Sequence, residues 1–478
     1  MIVRLTAAVV AIAFGLVVFA PPADASRLDS VAIAEVVEAN LGPTRLPGVA
    51  VAVVEKGHVL HTGGYGHDAD GAPVSGSSPM RIASLSKSFT ALAVLQLVEA
   101  GAVALDDPVV QHLPEFASAD PRADRITLRN LLDHSSGMSD TTFPEGELRQ
   151  PESLRAAVAS ASEAELAADP GEQHMYHNPN YWVAARLVEV VSGLPFATYL
   201  DSRILGSLGM NSTVAVDNWR DAVPGLVDGH NRFLGITWPR SEPDRFVAGS
   251  AGMVSTADDL ARWMLLNLGD TSREILSPAG ISELHRPSAP DGHYALGWDN
   301  PPGQPRQISH SASSFTSTAT MVLLPDSGVG IAVLSNSRVA LESDTEAIME
   351  DLIALALGES PRGTRLPLAF IADVTVLAAG VAVVAAGARQ IRRSRSWAAH
   401  RKSRLSKTFG VLVYLCPAVI FVCFTRMLEL VTGGRGVSFR LLSHVWPTLL
   451  AVVATTAVVG LTIAIARALA LRESRNAA

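Results

Sequence analysis

Residues 81–100 read RIASLSKSFTALAVLQLVEA. The apolar residues after Lys87 form one wide face at helical spacing, and Gly101 follows directly, as glycine often does where a helix ends. The pattern predicts a helix over residues 84–100. Ser84 and Lys87 are three positions apart and therefore share one face of this helix. Ser84 also lies in the first turn, near the positive end of the helix dipole.

A serine and a lysine on one helix face suggest nucleophilic catalysis. A hydroxyl is a poor nucleophile until a base removes its proton, and a lysine acts as that base only where burial or nearby charge disfavours its ammonium form. The same spacing occurs by chance in many proteins. The surroundings favour the catalytic interpretation, because residues 81–83 lead from a strand into the helix and an apolar helix follows.

A second segment, MYHNPNY at 175–181, precedes a predicted helix. A phenol held near an ammonium group can transfer protons, which makes Tyr176 a candidate. The amide of Asn178 can orient both Lys87 and a substrate carbonyl. Taken alone, the segment is equally well explained as a turn rich in Asn and Pro.

A third segment, HSAS at 310–313, precedes a predicted strand at 318–324. Such a strand can line the site opposite Ser84 and contribute a backbone N–H to an oxyanion hole, with the N–H of Ser84 as the other donor. Taken alone, His310 is better explained as a surface histidine in a polar loop. Only the three segments together favour a catalytic site.

The charge distribution divides the chain. Residues 1–360 carry 22 Lys and Arg against 43 Asp and Glu, a net charge of −21, whereas residues 361–478 carry 16 against 3, a net charge of +13. The basic residues of the second part lie between apolar stretches, which argues against nucleic-acid binding. Residues 1–25 have the features of a secretory signal peptide, with an uncleaved membrane anchor as the alternative. Both place the next domain outside the cytoplasm.

Residues 26–360 are predicted to form one α/β domain. Strands are predicted at 47–55, 58–62, 318–324 and 328–335, and helices at 84–100, 127–132, 181–191, 257–268 and 346–357. Because strands occur at both ends, we expect a sheet built from the two termini, with an inserted helical subdomain. Cys416 and Cys423 lie outside this domain, which must therefore rely on its core rather than on a disulfide.

Three apolar segments follow a polar linker at 361–365. They cover residues 366–388, 409–431 and 441–466, and each approaches the ~20 residues that cross a bilayer. The loop at 389–407 holds eight Lys and Arg and no acid, which predicts a cytoplasmic position for it and for the tail at 467–478. The ionisable residues near the predicted outer ends are interpreted as interfacial rather than functional. They are Asp373, Arg426, Glu429 and His444.

The ordered motifs resemble the superfamily of serine β-lactamases and penicillin-binding proteins, on the branch of class C β-lactamases, D-alanyl-D-alanine carboxypeptidases and related esterases. The resemblance covers residues 45–340. Besides the three segments above, it rests on LDDPV at 105–109, ITLRNLL at 126–132, AGSAGM at 248–253, STADDL at 255–260 and YALGW at 294–298. It implies a β-lactamase-like antiparallel sheet flanked by helices, with an inserted all-α subdomain.

The resemblance also implies site roles. Ser84 would be the acylated nucleophile, Lys87 its base partner and Tyr176 the residue that shares proton transfer. The N–H of Ser313 would be the second oxyanion donor. The implied substrate-binding residues are Asn178, His310, Ser311, Ala312 and Ser313.

Two residues depart from the family pattern, and a third, His310, is the less common of two residues that the family has at its position. Ala312 stands where the third motif usually ends in glycine, and His177 stands where the tyrosine motif normally has a small residue. Both are expected to narrow the pocket or to change its selectivity. His310 replaces the more common lysine and is largely neutral at pH 7, which weakens the fixed positive charge for a substrate carboxylate.

The sequence thus predicts a membrane-anchored, extracytoplasmic serine hydrolase of the bacterial cell membrane. It would act through an acyl-enzyme on small peptide, amide or ester substrates, with D-amino-acid-containing peptides favoured. The layout is similar to membrane-bound peptidases that remove an acylated D-asparagine cap, such as the colibactin-maturing peptidase. No metal or organic cofactor is predicted, because neither an HExxH motif nor a Gly-rich phosphate loop occurs. The alternatives are a carboxylesterase and a catalytically weak sensor or scaffold that binds cell-wall peptide.

Overall fold

The computed structural model describes residues 28–44, 46–271, 273, 275–340, 344–363, 366–400, 403–432 and 436–476. The predicted signal peptide at 1–25 lies outside the described residues. The strands are β1 Gly48–Glu55, β2 His58–Gly66, β3 Met80–Arg81, β4 Val214–Ala215, β5 His230–Phe233, β6 Ile236–Pro239, β7 Met253–Ser255, β8 Ile308–Ser313, β9 Thr318–Leu324, β10 Val329–Ser335 and β11 Ser337–Arg338.

The described α-helices begin before β1 and end at Asn476. They are α1 Ser30–Thr44, α2 Ser86–Glu99, α3 Val109–His112, α4 Leu128–Leu132, α5 Leu154–Ala161, α6 Pro179–Ser192, α7 Phe196–Leu200, α8 Gly206–Leu208, α9 Ala257–Asn267, α10 Pro278–Leu284, α11 Asp344–Ala356, α12 Leu368–Arg392, α13 Ser394–His400, α14 Arg404–Leu412, α15 Cys416–Val431, α16 Phe439–Val445 and α17 Pro447–Asn476.

A five-stranded antiparallel sheet in the order β2-β1-β10-β9-β8 forms the centre of the domain that precedes the apolar helices. In β1, Val49, Val51 and Val53 face a core shared with α1 and α11, whereas Ala50 and Ala52 face the main core. Side chains alternate along a strand, and helices cover both faces here, so β1 is apolar throughout. The prediction of a sheet built from both ends of the domain is confirmed.

Helix α2 runs through the main core and is buried on all sides rather than along one face. Phe89 of α2 stacks on Trp263 of α9 with ring centroids 3.8 Å apart. The helices from α3 to α8 lie in the chain between β3 and β4, which confirms the inserted helical subdomain. Helix α9 begins as predicted, since the Thr256 hydroxyl accepts the N–H of Asp259 at 3.1 Å.

Two element boundaries near the site differ from the sequence prediction. The helix predicted from residue 84 begins instead as a 3₁₀ turn at Ala83–Leu85, and α2 itself starts at Ser86. Residues 310–313, which the sequence placed before a strand without predicting a strand there, belong to β8 at the edge of the sheet. The edge position explains the miss, because Ser311 and Ser313 are exposed there while His310 and Ala312 are buried, so the strand lacks a continuous apolar run.

Among the described residues, three helical segments are long and apolar enough to cross a membrane: Leu368–Arg392, Arg404–Val431 and Pro447–Ser474. The third begins at Pro447, not at residue 441 as predicted. Residues 439–445 form the separate helix α16, and Trp446 leaves the helical region before Pro447. The ring of a proline disfavours helical backbone in the residue before it, which separates the two helices.

Asp373 joins the apolar helices to the domain that precedes them. It lies near the start of α12, is buried, and accepts the backbone N–H of Leu234 at 2.9 Å and the hydroxyl of Thr448. Near the end of α15, Arg426 and Glu429 form an ion pair at 2.8 Å. Asp373 therefore lies where α12 meets the preceding domain, and Arg426 and Glu429 pair with each other near the end of α15.

Candidate active site

Ser84 lies in the 3₁₀ turn between β3 and α2 and lines a cleft of about 610 Å³. The residue before it, Ala83, has a φ of +40°, a left-handed conformation that L-residues rarely adopt. This local strain turns the chain so that Ser84 faces the cleft while Ala83 and Leu85 stay in the core. The amino-terminal end of α2 follows at once, so its dipole favours negative charge near Ser84.

The side chain of Lys87 is completely buried, and its acceptors show how its amino group is oriented. Its Nζ lies 2.9 Å from Asn178 Oδ1, 2.9 Å from the carbonyl oxygen of Ser250 and 3.4 Å from Ser84 Oγ. Two of these oxygens can only accept, so they occupy two N–H groups. The amino group is thereby held within hydrogen-bond reach of Ser84 Oγ.

Asn178 is held by a buried ion pair that the sequence did not reveal. Its Nδ2 donates to Glu145 Oε1 at 2.7 Å, which fixes Oδ1 as the acceptor for Lys87. Glu145 is 3% exposed, and its two carboxylate oxygens accept from Arg245 Nη2 at 2.7 and 2.6 Å. The chain of contacts from Arg245 to Lys87 thus sets the orientation of the amide.

The second acceptor for Lys87 depends on a glycine turn. Gly249 has a φ of +70°, and an added Cβ would lie 2.5 Å from the carbonyl oxygen of Tyr181. The hydroxyl of Thr90, one turn after Lys87, donates to the carbonyl oxygen of Gly249 at 2.6 Å. Only glycine permits this approach, which places the next carbonyl, that of Ser250, on Lys87.

Tyr176 lies beside Lys87, as the sequence predicts for a proton-transfer residue. The Nζ of Lys87 is 4.7 Å from the centre of the Tyr176 ring. On its other side the ring packs against His134, with centroids 4.2 Å apart. His134 Nδ1 accepts the N–H of His177 at 3.2 Å and the amide of Asn180 at 3.0 Å, so this imidazole fixes the backbone on both sides of the tyrosine motif.

His310 is buried in β8 and lies in the cleft wall. Its Nδ1 lies 2.8 Å from the carbonyl oxygen of Ser311 and therefore carries the proton, and the hydroxyl of Tyr294 donates to Nε2 at 3.1 Å. Burial, and next the charge of Lys87, lowers the pKa of His310 to about 3. The imidazole is therefore neutral at physiological pH, as the sequence indicated.

The expectation that His177 narrows the pocket is wrong. Its side chain is completely buried, with Nε2 3.0 Å from the carbonyl oxygen of Phe143, and it is not among the described residues that line the cleft. It supports the wall from behind. Ala312, in contrast, does line the cleft together with Ser311 and Ser313.

The cleft brings all the predicted site residues except Lys87 to one surface, with Lys87 directly beneath it. Within the described part of the chain, no group of His, Cys, Asp and Glu could hold a metal ion. The residues that sequence reasoning missed are Glu145, Arg245, Ser250 and His134. Only Ser250 carried a signal, because it lies in the quoted motif at 248–253.

A model of the Beta-lactamase family matches residues 33–356, more than half of the chain. The chain belongs to the Beta-lactamase family. The matched region ends before the first apolar helix, so the family covers the sheet, the inserted helices and the cleft. As a member of this family, the chain is a serine hydrolase related to penicillin-binding proteins.

Curated relatives and solved structures agree. Penicillin-binding protein 4 of Amycolatopsis lactamdurans is 30% identical over 355 residues, which are 68% of this chain and 88% of that protein. Protein flp of Staphylococcus aureus strain MW2 is 27% identical over 314 residues, and the match spans 63% of this chain and 62% of flp.

Two solved structures share the fold. The octameric penicillin-binding protein homologue from Pyrococcus abyssi has a TM-score of 0.61 at 26% identity, over 72% of this chain and 80% of that one. A D-stereospecific amidohydrolase from Streptomyces sp. has a TM-score of 0.53 at 25% identity, over 64% of this chain and 94% of that one. The hydrolase fold of this β-lactamase-family chain is therefore shared with both penicillin-binding and amide-cleaving proteins.

Proposed function

We propose that this chain is a membrane-anchored, extracytoplasmic serine hydrolase that works through a Ser-Lys-Tyr acyl-enzyme. In this proposal a signal peptide at 1–25 exports the catalytic domain at 26–360, and a linker at 361–365 leads to three transmembrane helices. The loop between the first two helices and the tail at 467–478 would be cytoplasmic. The apolar helices and the basic loop support this topology.

One observation carries the mechanism. Lys87 donates to two fixed carbonyl oxygens, and these hold its Nζ 3.4 Å from Ser84 Oγ. In acylation, the neutral amine takes the proton of Ser84 while Oγ attacks the substrate carbonyl carbon. The N–H groups of Ser84 and Ser313 would hold the oxyanion. The C–N or C–O bond then breaks, and the leaving group receives a proton through Tyr176 or Lys87.

Deacylation reverses the roles of the proton-transfer groups. Tyr176 and Lys87 take a proton from water as its oxygen attacks the acyl carbon, and Ser84 Oγ leaves with a proton returned to it. The product is a carboxylic acid, and the enzyme is restored. No oxidant, metal or further reactant is needed for the balance.

We further propose D-amino-acid-containing peptides as the favoured substrates. The likeness to a D-stereospecific amidohydrolase supports this preference. The neutral and buried His310 supplies no fixed positive charge for a substrate carboxylate, which disfavours a strong carboxypeptidase. A substrate whose reacting end is an amide or an ester is therefore expected.

The test is intact-mass spectrometry of the full chain in detergent, after exposure to a fluorophosphonate and separately to a penicillin. We expect an adduct of one probe per chain that is absent from the Ser84→Ala variant. Labelling by penicillin would favour D-peptide substrates, and labelling by the fluorophosphonate alone would favour an esterase. A folded chain that reacts with neither probe would overturn the hydrolase proposal in favour of a binding role.

A further inference from the structure

The connection between the second and third apolar helices reaches the cleft. Gly436, Ser438 and Leu441 line it together with Ser84 and Tyr176. These residues follow α15 and lead into α16, which precedes the third apolar helix. The cleft wall is therefore not made by the β-lactamase-like domain alone, whose family match ends at residue 356.

Three hydrogen bonds, each to a backbone group of this connection, attach it to the catalytic domain. The N–H of Gly436 donates to Asp140 Oδ2 at 3.1 Å, and Arg240 Nη1 donates to the carbonyl oxygen of Ser443 at 2.7 Å. The N–H of Ala340 donates to the carbonyl oxygen of Val445 at 3.1 Å. Contacts at the start, middle and end of the segment fix its position, since each involves a different part of the catalytic domain.

An apolar contact joins the connection at 436–445 to the end of strand β8. Leu441 packs against a small core cluster that includes Trp219, Val247 and Phe315. The ring of Phe315 meets the edge of His444 with centroids 5.1 Å apart at 89°. Phe315 comes two residues after Ser313 at the end of β8, so the wall and the strand share this contact.

We infer that residues 436–441 form one wall of the substrate cleft, and that Leu441 selects for substrates that carry an apolar group on this side. The inference rests on the proposed function and adds the membrane segment to its site. Leu441 is half-buried in the wall, so part of its side chain remains available to a bound group. An apolar substrate group at this place would move out of water into contact with an apolar side chain, and this transfer favours binding.

The test compares two fluorophosphonates, one with a single ethyl group and one with a bulky aromatic group, as labels of Ser84 in the full chain. In Leu441→Trp we expect labelling by the bulky probe to slow at least tenfold, with the ethyl probe within about twofold of the native rate. Leu441→Ala should label more slowly with the bulky probe, because the aromatic group loses its apolar contact in the wall. The matched control is Leu430→Trp, because Leu430 is 84% exposed on α15 and does not line the cleft.

A second measurement does not depend on catalysis. In a chain with Cys416→Ser and Cys423→Ser, the pair Ser84→Cys and Leu441→Cys should cross-link within one chain through a short bis-maleimide, whereas Ser84→Cys with Leu430→Cys should not. If the ratio of the two labelling rates is unchanged in Leu441→Trp and no cross-link forms, the inference is overturned while Ser84 labelling upholds the hydrolase. If the cross-link forms but neither probe labels native Ser84, the wall stands and the proposed function fails.

Discussion

Replacement of Glu145 by glutamine tests whether the ion pair between Glu145 and Arg245 orients the side-chain amide of Asn178. Gln keeps one acceptor oxygen and replaces the other with an NH₂ group that must face a donor, either Arg245 or Asn178. Hydrogen bonds to charged groups contribute about 1.5–3 kcal/mol each, and removing one partner of a buried pair costs more than a surface pair does. The guanidinium of Arg245 is 20% exposed, so water recovers part of the loss.

We expect Glu145→Gln to lower the free energy of unfolding by about 2–4 kcal/mol. Because the charged acceptor for Asn178 Nδ2 becomes neutral, the amide is held less firmly and its Oδ1 is placed less exactly on Lys87. Acylation of Ser84 should slow roughly 10- to 100-fold, which corresponds to about 1.4–2.7 kcal/mol in the barrier. The rate constant for fluorophosphonate labelling and the thermal unfolding of the full chain in detergent measure the two effects.

The matched control is Glu152→Gln, which removes the same charge from a position that is 86% exposed and does not line the cleft. It should change both quantities little. Adding Arg245→Gln to Glu145→Gln should restore part of the lost stability, since no guanidinium is then left without its carboxylate. If Glu145→Gln labels at the native rate, the ion pair does not position the site, and the orientation argument for Asn178 is refuted.

Three further predictions follow from contacts at the site. Lys87→Met should slow acylation by roughly 10²–10⁴-fold, the range for losing a positioned general base, and a labelling rate equal to the native one would contradict this role. His310→Gln should reduce the pH dependence of the free energy of unfolding. The pKa of His310 is about 3 in the folded chain and 6.5 in the unfolded chain, so the unfolded chain binds the proton first as pH falls. In the native chain the contribution of His310 is therefore greatest above pH 6.5 and falls by up to ~1.4 kcal/mol per pH unit as pH drops towards 3. His285, whose pKa is also lowered to about 3 by burial, retains its own share, so unfolding scans across this window should show a reduced slope and not a flat line. Ala312→Gly should speed labelling by bulky probes severalfold while costing roughly 0.5–1 kcal/mol of stability, and equal labelling would show that the methyl group does not limit the cleft.

Much of the fold could be predicted because its signals are local. The valine-rich β1 and the pair β9 and β10 are short apolar runs bounded by turn residues, and the helix after Ser84 is a long, mostly apolar run that ends just before Gly101. The edge strand β8 was harder, because half of its side chains face outwards and small polar residues occupy those positions. The division between α16 and the third apolar helix was missed for another reason, since both parts are apolar and only the backbone at Trp446 separates them.

The sequence alone determined which residues could do chemistry. The spacing of Ser84 and Lys87 indicated that their side chains lie close together, and the Tyr176 and His310 segments could be recognised from their order in the chain. Only the tertiary structure decided what holds them in place. Glu145 reaches Arg245 across 100 positions, and Gly436 reaches Asp140 across 296. Such pairs leave no periodic trace, because a hydrogen bond between distant segments depends on how helices and strands pack and not on the residues beside either partner.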